Sequence, residues 1–147
     1  MRAVLVGCVA GKLDHPAPAR DLYTTPLFRK RRDYAERMGL PWFVLSARHG
    51  LVTPDTRLYP YNEVLAKARI SDFTFVVYRQ MLKHFADGDV LEVHAGVHYV
   101  DGVTRSVRRL ERFGGLSLQV ETPLRGLSIG KQLQWYGKPQ LEIKEAA

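Results

Sequence analysis

Four short apolar runs, each followed by a polar or helix-patterned segment, constrain this chain more than anything else in it. They are Ala3–Gly7, Pro41–Ser46, Val90–His94 and Leu116–Val120. The first is apolar without alternation, the pattern of a strand buried on both faces in a parallel sheet. The last alternates more and reads as lying nearer an edge. Between the first two, Thr24 or Thr25 can cap a helix that has Pro26 at its first position and Gly39 and Pro41 as its stop. Leu27, Tyr34 and Met38, with Phe28 and Ala35 beside them, give it an apolar stripe. A single turn is expected at Arg20–Tyr23, and a short helix from Glu63 to about Arg69, capped by Asn62. From about Ser71, Phe73, Val77, Met81 and Phe85 recur every four residues and predict a core-facing helix. Two more are expected from Val103 to about Phe113 and from Ser128 to about Tyr136, with Val97, His98 and Tyr99 in a loop before the first of them.

The order β-α-β-α-α-β-α-β-α predicts an α/β fold: a three-layer, mainly parallel four-stranded sheet with helices on both faces. Right-handed crossovers bring the C-terminal ends of parallel strands to one rim, where open α/β sheets bind ligands. Four polar segments are therefore expected to converge: Cys8–Lys12, Ser46–Gly50, His94–Tyr99 and Thr122–Gly126. A length of 147 residues suits one domain, placed at 1–140, with a flexible charged tail at 141–147. No apolar run approaches the ~18 residues of a membrane span, so no membrane is expected among the partners. One cysteine excludes an internal disulfide and points to a cytoplasmic setting. The net charge of +7 favours polyanionic partners, either nucleic acid or phosphorylated small molecules.

The chemistry-bearing residues sit on the expected rim. Gly7–Lys12 resembles a phosphate loop only in outline: it is one residue short, lacks the following Ser or Thr, and runs into Asp-His-Pro instead of a helix. Cys8 is a candidate nucleophile with His49 or His94 as base, or else a small buried thiol. His94 and His98 straddle Gly96 and share no helix face, so no metal is expected. Ser46, Arg48 and His49 put a hydroxyl, a permanent cation and a titratable imidazole within four residues of a strand end. Arg48 suits a phosphate and His49 suits acid–base work near neutral pH. The other reading has Ser46 capping the strand end and the two cations solvated. Tyr59 and Tyr61 are either stacking surfaces for a base or packing for their loop. Arginines on the helices near residues 29–37 and 105–112 are either solvated faces or phosphate-tracking surfaces.

Several of these stretches together resemble a family of small bacterial and phage domains, DUF6884, which is related in pattern to the YaaA peroxide-stress proteins. The matching pieces are Cys8 with Lys12, Pro18-Ala-Arg-Asp-Leu-Tyr23, Pro26-Leu-Phe28, Leu45-Ser-Ala-Arg-His-Gly-Leu51, Pro54-Asp55, Pro60-Tyr-Asn62 leading to Leu65, Ala95-Gly96 with Tyr99, Pro123-Leu124, Gly126-Leu127, Ile129-Gly130 and Gln132. The chain departs from the pattern at Val9, where a serine is common, and at Asn62, where an aspartate is common. YaaA proteins are linked to DNA binding and oxidative stress. A more distant likeness to the uracil-DNA-glycosylase-like module of archaeal tRNA-modification enzymes carries no glycosylase residues with it.

Two functions are expected from these readings. The first is an enzyme of nucleic-acid or nucleotide modification, acting on a nucleobase or nucleotide without a cofactor. Lys12, Ser46, His49 and Cys8 are its chemical groups, and Arg48, Tyr61, Asn62, Gly96, Tyr99, Arg125 and Gln132 its substrate contacts. The second is a non-catalytic DNA- or RNA-binding protein of the YaaA type that uses Arg29, Lys30, Arg105, Arg108, Arg109 and Arg112.

Overall fold

The computed structural model describes residues 1–138, so the expected tail at 141–147 lies outside the described residues. Strand β1 (Arg2–Gly7) opens the chain. A two-residue strand β2 (Ala17–Pro18) and a single helical turn α1 (Ala19–Leu22) follow. Helix α2 (Pro26–Arg37) begins as its sequence dictates: Thr25 caps it by accepting from the Phe28 N–H, and Pro26 occupies the first turn, where a missing N–H costs nothing. Then come β3 (Trp42–Ser46), β4 (Gly50–Val52) and β5 (Arg57–Leu58). A 3₁₀ turn at Lys67–Arg69 runs into α3 (Ile70–His84). The chain continues through β6 (Val90–His94), α4 (Val97–Arg109), a π turn at Leu110–Gly114, β7 (Gln119–Glu121) and α5 (Ile129–Tyr136).

The fold is α/β, with a five-stranded sheet in the order β4-β3-β1-β6-β7. β1 pairs in parallel with β3 on one side and with β6 on the other, and β6 pairs in parallel with β7. Ala3, Val4, Leu5 and Val6 are all fully buried, so both faces of β1 are covered. Successive strands lie on opposite sides of β1, which makes its C-terminal end the point where strand order reverses and a crevice forms. α3 packs on α4, and α2 packs on α5 through Tyr34 and Trp135. The buried face of α3 is the predicted one, with Phe73, Val77 and Met81 inward.

Four expectations are corrected. The sheet has five strands, not four: β4 folds back antiparallel on β3, pairing Val44 with Val52 and Ser46 with Gly50. The turn between them, Ala47-Arg48-His49, is a three-residue hairpin closed by Gly50 at φ 71°, a left-handed conformation that favours glycine. The helix expected from Glu63 is absent except for its last turn, because Tyr61 and Leu65 are both pulled into the core and hold this stretch in an irregular path. α4 starts at Val97, directly after Gly96, and the expected loop Val97–Tyr99 is its first turn. Its buried stripe runs Tyr99, Gly102, Val103, Ser106, Val107, so the helical period extends one turn earlier than the apolar residues alone indicate. Finally, β7 is confined to Gln119–Glu121, with Leu116–Leu118 outside the ladder.

Candidate functional site

Three chain segments meet at the C-terminal ends of β1 and β3. The loop after β1 returns antiparallel to the segment before α2. Leu13 donates to the Leu22 carbonyl, Thr24 donates to the Gly11 carbonyl, and Lys12 bridges Tyr23. Gly11 makes this possible with φ 94°, in a place where a Cβ would press on Thr25 Cγ2 at 3.0 Å. The result sets the Lys12 ammonium 4.7 Å from the Tyr61 ring centroid and 5.6 Å from that of Tyr23. Such cation–π geometry holds a partly exposed lysine over the mouth of the cluster.

Below it lies a closed set of hydroxyls around one thiol. Tyr61 Oη is 2.6 Å from both Tyr23 Oη and Ser46 Oγ, and 3.8 Å from Cys8 Sγ. Tyr99 Oη lies 3.0 Å from the same sulfur. Ser46 Oγ also accepts from the His49 N–H at 3.1 Å. One assignment places every hydroxyl hydrogen. Tyr23 and Ser46 donate to Tyr61, which then donates to Cys8 Sγ, while Tyr99 accepts from the Ala47 N–H and donates to the sulfur. In it the sulfur receives two hydroxyl hydrogens. Burial, and then the nearby Cys8, raise the Tyr23 hydroxyl to about 12 and push Tyr61 and Tyr99 further up, so all three stay protonated donors at neutral pH.

His49 joins this cluster to the outside. Its ring stands edge-on to Tyr61 with centroids 5.5 Å apart. Burial, and then the Arg48 guanidinium, hold its imidazole below the ordinary range, so it is neutral at pH 7. Gln80 of α3 clamps the turn that carries it, donating to the His49 carbonyl at 2.9 Å and accepting from the Leu51 N–H at 2.6 Å. On its outer side His49 lines a groove of about 280 Å³, shared with Arg48, Arg57, Leu58, Tyr59 and Pro60. Arg48 lies 3.7 Å from Glu63 and remains 55% exposed.

The predicted residues thus divide. Cys8, Lys12, Ser46, His49, Tyr61 and Tyr99 come together, and Arg48 stands beside them. Ser46 is fully buried and serves the turn and Tyr61, whereas Lys12 and His49 are reachable from solvent. Cys8 is not hydrogen-bonded to either histidine. His94 is turned into a second buried network, where Tyr136 Oη is 2.6 Å from Nδ1 and Glu92 Oε1 is 3.0 Å from Nε2. Gly96 is the residue before the first turn of α4, and Asn62 and Arg125 are exposed. Gln132 accepts from Arg31, which also donates to the Gly7 carbonyl. Among the described residues no hydrogen bond ties Thr122–Gly126 to the cluster. β7 is two strands from β1, roughly 10 Å away at ~4.8 Å per strand.

Of the basic surface residues, Arg105 is paired with Asp101 at 3.0 Å, Arg109 lies over Tyr78 and Arg112 over Phe113. Arg29, Lys30 and Arg108 are exposed. Sequence reasoning missed Tyr23, Arg31, Arg57 and Gln80. Tyr23, Arg31 and Gln80 matter through partners distant in the chain and Arg57 through the groove it lines, and only Tyr23, inside the Pro18–Tyr23 motif, carries any local signal.

No helix among the described residues is long and apolar enough to cross a membrane. Neither curated proteins nor solved structures gave a match. Residues 3–138 match the model of a family of unknown function, DUF6884, and on that coverage the chain belongs to the DUF6884 family.

Proposed function

We infer that this protein is an enzyme acting on a nucleobase or nucleotide, in nucleic-acid or nucleotide modification, with its reaction centre at the rim where β1 and β3 end. The observation that carries the reading is the position of His49. It forms the wall between an open cationic groove and a buried thiol–hydroxyl cluster, so a ligand in the groove has a neutral imidazole at its inner end, and that imidazole stands against the same Tyr61 ring that carries the Lys12 ammonium. His49 is suited to take a proton from a substrate, because its depressed basicity keeps it unprotonated at pH 7. Tyr61 and Tyr99 position the cluster, and Cys8 is the candidate nucleophile. The frame is a three-layer one, with the α3–α4 pair on one side of the sheet and the α2–α5 pair on the other. The reading includes the relation to the YaaA proteins and the more distant one to a glycosylase-like module, for which a nucleobase would be the target. A cytoplasmic location belongs to the same reading.

The test is a titration of the protein with nucleobases, nucleosides and nucleotides, followed residue by residue by NMR. Perturbations at Lys12, His49 and Tyr61 that disappear in Lys12→Ala support the reading. Perturbations that avoid these residues refute it.

A second reading is non-catalytic binding of DNA or RNA. It is favoured by the aromatic and arginine pairs Arg109–Tyr78 and Arg112–Phe113 beside exposed Arg108. It expects affinity that falls steeply with salt and is lost on reversing Arg108 and Arg109.

A further inference from the structure

The groove outside His49 contains two arginines and a tyrosine whose roles the thiol–hydroxyl cluster does not explain. Arg57 is exposed on β5 and has no ion-pair partner among the described residues. Its place is fixed, because β5 pairs with β2 (Arg57 opposite Pro18, Leu58 opposite Ala17) and the Thr56 carbonyl accepts from Ala19 N–H. Arg48 approaches it from the β3–β4 turn, which Gln80 and Ser46 lock from behind. The one aspartate in the preceding loop, Asp55, is taken up by Arg20. The charge of the groove is therefore not cancelled from that side; Glu63, 3.7 Å from the half-exposed Arg48, offsets that guanidinium in part, and Arg57 is the one without a carboxylate partner among the described residues. After Arg57 the chain turns Leu58 inward, Tyr59 and Pro60 outward and Tyr61 inward, which leaves Tyr59 73% exposed. A rigid backbone, two guanidiniums and a bare aromatic face in about 280 Å³ match a phosphate ester attached to a flat ring.

We propose that the Arg48–Arg57–Tyr59 groove is a phosphate subsite that holds the phosphate of a nucleotide between two guanidiniums while Tyr59 stacks on a ring. The same chemistry is offered by a free mononucleotide and by a nucleotide unit within a single strand. This inference rests on the nucleobase-directed reading above, and it adds that the phosphate is recognised and by which residues.

The experiment compares 5′-mononucleotides, the corresponding nucleosides, phenyl phosphate and a short single-stranded oligonucleotide by calorimetry, on the unaltered protein and on Arg57→Ala, Arg48→Ala and Tyr59→Ala. These three side chains are exposed, so the variants should keep the parent's thermal midpoint. A mononucleotide, or the oligonucleotide alone, should bind about ten- to a hundredfold tighter than the nucleoside, the range for a charge-assisted contact. Which of the two binds identifies the source of the phosphate. Arg57→Ala should cut that preference to less than about threefold, whereas Tyr59→Ala should weaken nucleoside and nucleotide alike. Nucleoside binding equal to that of nucleotide overturns the subsite and leaves the nucleobase reading standing. Arg57-dependent binding of phenyl phosphate, with no gain from a base, keeps the subsite and removes the nucleobase reading. A phosphate preference that survives both arginine substitutions, or no binding of any phosphate ester, overturns the proposal.

Discussion

Replacing Tyr61 with phenylalanine removes one oxygen and leaves the ring, so it isolates what the buried hydroxyl does. That oxygen is 2.6 Å from Tyr23 Oη and 2.6 Å from Ser46 Oγ, and both partners are almost wholly inaccessible. Two buried hydrogen bonds at about 1 kcal/mol each give a loss of about 2 kcal/mol. Two donors left without acceptors push the value toward the upper end of the range for such changes. For a chain of this size 2 kcal/mol corresponds to roughly 4–8 °C in thermal midpoint. With a urea dependence of ~2 kcal/mol/M it shifts the midpoint by about 1 M. Tyr59→Phe is the matched control: its ring is exposed, and the change should stay within about 0.5 kcal/mol. Urea denaturation of the two variants side by side makes the comparison. If Tyr61→Phe moves the midpoint no more than Tyr59→Phe does, the hydroxyl is not the hub of the cluster and the assignment of hydrogens around Cys8 fails.

Stability should fall as the pH drops below about 6.5. Burial holds both His94 and His49 below their ordinary basicity in the folded chain, so the unfolded chain binds the extra protons, and the contribution is complete above the unfolded value of ~6.5 and lost below it. Urea midpoints between pH 5 and 8 check this, and His94→Gln should flatten most of the slope, because His94 is the more buried of the two. Gly102→Ala should destabilise by about 1–3 kcal/mol despite its better helix propensity, because the added Cβ would meet Phe73 Cδ1 at 2.5 Å between α3 and α4. Thermal melts read this loss, and stabilisation of the variant would contradict the packing.

The parts of this architecture that were legible in the sequence are those fixed by nearest-neighbour chemistry. Thr25-Pro26 starts a helix where it should, and Ser128 caps α5 by accepting from the Lys131 N–H. The unbroken apolar run of β1 marks a strand covered on both faces, and Ala3 to Val6 are fully buried. β4 was within reach too, since Gly50-Leu-Val after a three-residue turn is a hairpin pattern, although it is short and sits inside what reads as a loop. The order of the strands alone brings Cys8, Lys12, Ser46, His49 and Tyr99 to one rim, without any motif. What stayed hidden depends on pairings across the chain. Arg31 looks like one more cation on a basic helix, yet it is only 2% exposed, donating to Gly7 and Gln132. His94 looks like a rim residue at a strand end. Its side chain instead joins a network with Glu92, Tyr34 and Tyr136 that no spacing rule announces.

The most direct test of the central claim is a crystal structure of the protein soaked with a 5′-mononucleotide. The account predicts density with its phosphate between Arg48 and Arg57, its ring on Tyr59 and its inner end against His49. Density on the arginine face of α4 with this groove empty would contradict it.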